Sequence, residues 1–407
     1  MNQNLNQSLK SSVLWISALG YFVDMYDLLL FSIVRVQSLA SLGIAESEML
    51  SSGVMLINLQ MAGLLLGGFF WGYLGDKKGR ASVLMASILT YSLANFLNAF
   101  VQDVNQYAIL RFIAGFGLAG ELGIAVTLVS ETLSREKRGY GAAIIAGIGM
   151  AGTVTACVAA EFLSWRVCYA VGGIMGFLLL IGRMSLRESP LFLSMHKQSS
   201  WADGMKALFL RPKNLFKYLR CVIIGLPLWF TSGILITFAP EFGKALNISD
   251  PLSAGKGVLY CYAAACFGDL LAGLLSQKLK SRKKAIGIFM FGTLVSSILF
   301  LTAQNWSAQG VYWICAFMGL SGGYWALFVL VASEQFGTNI RATVTTSAPN
   351  VVRGFVVIMT SAFRFLTPQF GVIKGAAIVG TIVLAIAYIS LFMMEESFSK
   401  DLDYLET

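Results

Sequence analysis

Residues 72–80 read GYLGDKKGR, a glycine-punctuated cluster of charge set between two apolar runs. The run before it, at 54–71, is VMLINLQMAGLLLGGFFW, and the run after it, at 82–100, is SVLMASILTYSLANFLNAF. Each is close to the roughly 20 apolar residues that a helix needs to cross a bilayer. The stretch therefore reads as a tight polar turn joining two spans. Its charges are held at an interface, with Asp76 placed where a helix end or neighbouring cations can pair with it.

Composition extends that reading to the whole chain. Of 407 residues, 57% are hydrophobic and 13% charged, about half the charge of an average soluble domain, where roughly 25% is usual. The chain reads as a polytopic membrane protein. Twelve apolar windows follow one another, from one starting near Val13 to one starting near Gly371. The first is too long for a cleaved signal peptide. The six cysteines all lie in apolar stretches without a C-x-x-C pair, and His196 is the single histidine. Neither a structural metal site nor Ser-His hydrolytic chemistry is expected from that inventory, so the chain is not read as an enzyme.

An even number of spans puts both termini on one side. Most lysines and arginines fall in the tails and even-numbered connections, among them Lys77, Lys78, Arg80, Arg138, Lys278 and Arg341. By the positive-inside rule that side is cytoplasmic. The net charge of +9 thus records orientation and implies no nucleic-acid partner. The long polar connection at 187–217 divides the chain into six-helix bundles at 1–186 and 218–407. Ser130-Glu131 followed by Arg138 is echoed, half a chain later, by Ser333-Glu334 followed by Arg341 at the same interval. Internal duplication of this kind is frequent in secondary transporters.

These motifs together resemble the major facilitator superfamily. GYLGDKKGR (72–80), RFIAGFGLAGE (111–121), SETLSREKRG (130–139), RESPLF (187–192), SEQFGTNIRAT (333–343) and ESFSKDLDYLE (396–406) are similar to its sugar-porter, aromatic-acid and metabolite:proton symporter branches. The resemblance implies an all-α membrane protein of twelve transmembrane helices in two pseudo-symmetric bundles. It implies a multi-pass carrier of a bacterial inner membrane, acting as a monomer on a small-molecule substrate. Gly72, Asp76, Lys77, Gly79, Arg80, Glu131, Arg138, Glu334 and Arg341 are the residues expected to latch one alternating-access state. Solvated topogenic charges of little energetic weight are the plainer alternative.

Residues 20–31, GYFVDMYDLLLF, carry the chemistry. A carboxylate at the bilayer centre costs at least about 2.5 kcal/mol and usually faces an interior cavity. Asp24 and Asp27 are three residues apart and share one helical face. Helical rise puts Asp27 about 21 Å above the cytoplasmic edge and Arg111 of span four about 22 Å up in a core of ~30 Å. An aspartate beside an arginine stays ionised, and separating the two favours proton uptake, so Asp27, Arg111 and Asp24 are the expected proton-coupling residues. The resemblance agrees, since Tyr26-Asp27 and Arg111 look like the coupling pair of the sugar porters. Met25 stands where that branch usually has glycine. A static buried ion pair is the alternative.

Glu121, Asp269 and Arg353 within spans, and Trp229 and Trp325 well inside theirs, are the candidate substrate-binding residues. Span five reads GAAIIAGIGMAGTVTA (141–156), without the Gly-Pro motif of drug/proton antiporters, and every proline lies at Pro190 or later. The expected function is proton-driven import of an organic anion or sugar-like metabolite, with the proton as coupling ion and no cofactor. Export of a siderophore or amphiphile and uncoupled uniport are the alternatives.

Overall fold

Long apolar segments separated by short turns with serine and aspartate caps leave the backbone one economical option in hydrocarbon, the helix, which satisfies its own N–H and C=O groups. A computed structural model describes the backbone of residues 2–78, 80–121, 138–184, 206 and 208–398. Its first half comprises α1 (Asn2–Ser41), α2 (Met49–Lys78), α3 (Arg80–Asn98), α4 (Val104–Leu118), α5 (Arg138–Phe162) and α6 (Trp165–Arg183). In the second half come α7 (Pro212–Phe230), α8 (Ala254–Leu279), α9 (Arg282–Leu301) and α10 (Ala308–Gly322, resuming as Trp325–Glu334). Thr338–Gly354 begins α11. The helix Val356–Met393 breaks at Gly371, where φ is 79° and ψ 166°; the part before the break completes α11 and residues 372–393 form α12.

No strand occurs among the described residues. The twelve-helix architecture matches the expectation from sequence. Eight of the described helices are long and apolar enough to cross a membrane by themselves.

Turn chemistry sets the helix starts. Asp103 Oδ1 accepts from the backbone N–H groups of Asn105 and Gln106, each at 2.9 Å, at the head of α4. Ser164, Ser253, Ser281 and Ser307 cap α6, α8, α9 and α10 in the same way. Each cap satisfies N–H groups that a helix start leaves unpaired.

Helix pairing repeats between the halves. Within the first, α1 packs on α5 and α6, α2 on α4, and α3 on α4 and α6. The second half pairs α7 with α11 and α12, α8 with α10, and α9 with α10 and α12. The tightest crossings correspond as well. A Cβ on Gly115 of α4 would strike the Gln60 backbone of α2, and one on Gly319 of α10 would strike the Cys261 backbone of α8. Small residues that let backbones touch are the usual currency of helix association in lipid. Between the halves, α5 meets α8, α2 meets α11, and α1 meets α8.

The surface inverts that of a soluble domain. Phe162, Phe365 and Phe392 are among the most exposed side chains, while Asp24, Asp27, Arg35, Arg111 and Arg353 are buried. Replacing Gly319 by valine should push α8 and α10 apart, an overpacking cost of about 1–3 kcal/mol or more. The expected result is loss of monodisperse protein in detergent gel filtration. Gly273→Val, where a Cβ meets no atom within 4 Å, should leave the elution profile unchanged.

Candidate functional site

A cavity of about 70 Å³ lies between the halves. From α1 it is lined by Tyr21, Met25 and Leu28, spaced to form one helical stripe. Asp24 and Asp27 fall on the flank of that stripe and are fully buried, Asp27 against α6 of the first bundle. The second half lines the cavity with Trp229, Tyr262, Asp269, Trp325 and Arg353. Helix α1 thus presents the cavity on one face and two acids on the adjacent one.

Neither oxygen of Asp24 or Asp27 receives a hydrogen bond from the protein. Asp27 lies against Gly172 of α6, where any Cβ would collide with its Oδ1. Arg111 is fully buried nearby, and its Nη1 donates to Asn95 Oδ1 at 3.4 Å. The guanidinium carbon sits 5.6 Å from the Phe31 ring centroid and 5.5 Å from that of Tyr169. No direct ion pair joins Asp27 to Arg111, and Arg111 keeps Nε and Nη2 without an acceptor.

Among the substrate candidates the structure gathers Trp229, Trp325, Arg353 and Asp269 around the cavity and sets Glu121 elsewhere. The Glu121 carboxylate is clasped by both terminal nitrogens of Arg183, with Nη1 to Oε2 at 2.7 Å, inside the first bundle and fully buried. Trp229 and Trp325 meet edge to face with centroids 6.4 Å apart. Arg353 lies over Trp229 at 5.8 Å, with Nη1 at 3.5 Å from Asn350 Oδ1. Asp269 Oδ1 accepts from the Ala326 N–H at 3.2 Å, in the first turn of α10 after its break.

Sequence reasoning passed over Arg35 and Glu241. Arg35, near the end of the first span, is fully buried and bridges the two halves. Its Nη1 and Nη2 donate to Glu241 Oε1 and Oε2, each at 2.7 Å, and Nη2 also donates to the Thr237 carbonyl at 3.2 Å. The guanidinium carbon lies 4.6 Å from the Phe238 ring centroid. The signal was its position two turns beyond Asp27 along the same helix. Arg183, at the end of α6, was passed over as well. The halves are thereby closed together at the end of the bundle where α1 finishes, and Lys244 with Glu46 adds an exposed pair there.

At the opposite end, Glu334 accepts from Arg282 Nη2 at 3.1 Å and from Ser397 Oγ at 2.7 Å. Glu396 caps the head of α9. Burial alone would push its carboxyl up, but the Ser281 hydroxyl and the N–H groups of Phe398, Arg282 and Lys283 outweigh that and hold it below the usual glutamate range. Gly72 lies within α2. The side chains of Asp76, Lys77, Arg80, Glu131, Arg138 and Arg341, and Gly79 itself, lie outside the described residues.

Twelve helices in a repeated six-and-six arrangement, closed over an internal cavity with ionisable groups beside it, define a polytopic membrane carrier. The family model of the Major Facilitator Superfamily matches residues 17–361, and the chain belongs to that superfamily. It is a multi-pass membrane transporter and not an enzyme. It is similar to the putative niacin/nicotinamide transporter NiaP of Bacillus subtilis, 29% identical over 413 residues, covering 96% of this chain and 97% of that protein. The cis,cis-muconate transport protein of Acinetobacter baylyi is 26% identical over 95% of this chain and 93% of its own. A partially occluded inward-open structure of the Escherichia coli xylose transporter XylE superposes with a TM-score of 0.73 at 18% identity, covering 97% of this chain and 100% of that one.

Removing one partner of a buried ion pair costs about 3–5 kcal/mol, since the other charge is left uncompensated. Glu241→Ala should therefore release the closure at the α1 end. In a variant whose sole cysteine is Cys261, which lines the cavity, labelling by an impermeant maleimide from that face should accelerate at least about tenfold. An unchanged labelling rate would count against the pair as a closure.

Proposed function

We propose that the chain is a proton-coupled symporter that imports a small organic anion across a bacterial inner membrane, with both termini cytoplasmic. The observation that carries this reading is the arrangement of α1, whose cavity-lining stripe of Tyr21, Met25 and Leu28 flanks the donor-free carboxylates of Asp24 and Asp27. A buried carboxylate without hydrogen-bond donors is costly while ionised. A proton from the open side relieves that cost, and a return of Arg111 to direct contact with Asp27 would favour its release. Any movement of α1 as the cavity changes sides alters both contacts together.

Arg353 supports the anionic substrate. It is buried, lines the cavity, and forms no ion pair with a described carboxylate. The named substrates of the similar proteins, niacin and cis,cis-muconate, are small planar acids, the chemistry that a buried arginine beside indole rings suits. The Arg35–Glu241 closure then lies on the outer face, so the state described is shut to the outside.

The test is uptake of radiolabelled nicotinate and cis,cis-muconate into proteoliposomes. An inward proton gradient should accelerate wild-type uptake of at least one of them. Asp27→Asn should remove that acceleration while leaving counter-flow exchange measurable, whereas uptake indifferent to the gradient would indicate a uniporter. Trp229→Ala and Arg353→Gln should each weaken apparent affinity by about tenfold or more, as expected for loss of an aromatic wall or a charge-assisted contact.

A further inference from the structure

The cavity carries two unlike poles. Arg353 stands at 5.8 Å from the Trp229 ring, Trp229 meets Trp325 at 6.4 Å, and the residue after Trp325, Ala326, holds Asp269 through its N–H at 3.2 Å. The order around the wall is base, ring, ring, acid. The two poles do not neutralise each other, because no ion pair joins Asp269 to Arg353. Asp269 Oδ1 accepts from the backbone of the restarting α10, which fixes a carboxylate that lines the cavity. The titratable groups that share the cavity wall with Asp269 are Tyr21, Cys261, Tyr262 and Arg353, and of these Arg353 is the one cation.

We infer that the transported solute is bifunctional: a planar organic acid whose carboxylate meets Arg353 and whose far end presents a hydrogen-bond donor, an O–H or a protonated amine, to Asp269. This rests on the organic-anion reading above and adds the second pole. A carboxylate buried beside a substrate binds a donor far better than an apolar isostere, because the isostere leaves it unpaired. Asp269 is on this account a specificity-determining residue, separate from the proton-coupling acids of α1.

Three probes of matched shape separate the cases: para-ethylbenzoate, para-(hydroxymethyl)benzoate and para-(aminomethyl)benzoate. Binding is read as quenching of tryptophan fluorescence and as thermal shift of the purified full-length protein in detergent. The two donor-bearing acids should bind at least about tenfold tighter than para-ethylbenzoate, the scale of a hydrogen bond to a charged group. Asp269→Asn, which retains an acceptor for the Ala326 N–H, should remove most of the preference for the aminomethyl compound while leaving para-ethylbenzoate unaffected. Asp269→Glu should preserve the order of the three, and Arg353→Gln should weaken all three alike. Equal binding of the three acids, or a preference that survives Asp269→Asn, overturns this inference and leaves the organic-anion reading standing. Binding of none of them, by a wild-type protein that also ignores nicotinate and cis,cis-muconate, overturns both.

Discussion

Hydrocarbon gives a charged side chain nothing to bond to, so every ion placed in the span must find its answer inside the protein. Four arginines of this chain, Arg35, Arg111, Arg183 and Arg353, are almost completely buried, and the differences among their partners sort the structure into working parts. Arg35 and Arg183 are matched by bidentate carboxylates. Arg111 and Arg353 are not, having only weak contacts with Asn95 and Asn350 and aromatic faces beside them. Matched pairs hold geometry. The unmatched bases stand where two unmatched acids, Asp24 and Asp27, are also found, and unsatisfied charge in a water-poor interior persists where function requires it.

Helix irregularity concentrates in the same region. Following Pro227, α7 passes into a π-helical turn at Thr231–Ile236 between the cavity residue Trp229 and the closure at Thr237 and Glu241. The interruption of α10 at Gly323 and Tyr324 falls beside Trp325, and Pro349 lies in α11 one turn before Arg353. In transporters, backbone that departs from the helix is tolerated where it lines a cavity, and π-turns gather at functional sites. Here the three irregular helices belong to the second half, together with the cavity residues Arg353 and Asp269, while the unmatched acids Asp24 and Asp27 belong to the first.

Much of this was legible in the sequence because the solvent enforces it. Long apolar windows and polar turns yield the twelve helices, and the paired Ser-Glu motifs at 130–131 and 333–334 pointed to the repeat that helix pairing displays. Asp24 and Asp27 stood out as carboxylates in an apolar run. Charges near span ends were harder, because a topogenic arginine and a buried latch look alike in one dimension. Arg35 and Arg183 lie near span ends, where hydropathy alone reads an arginine as interfacial, yet each reaches an acid on a distant segment, Glu241 and Glu121. Glu334 adds a partner that its sequence neighbours did not suggest, Arg282 at the head of α9, while the side chain of Arg341 lies outside the described residues. Pairing across the fold depends on helix rotation, which apolar periodicity barely encodes when the lipid-facing side is as hydrophobic as the core.

A carrier cannot let its closure be too strong. The Arg35–Glu241 pair is bidentate and shielded on the arginine side, but the Glu241 side chain retains 18% exposure, so it sits at the margin of the dry core. When the halves part at that end, both charges pass into water and recover the hydration that burial had cost them, which offsets much of the lost attraction. The pair therefore favours one state without trapping it. Two conformations that must interconvert in every cycle can differ by only a few kcal/mol, and an ion pair at the edge of water meets that condition better than an apolar seal of the same area would.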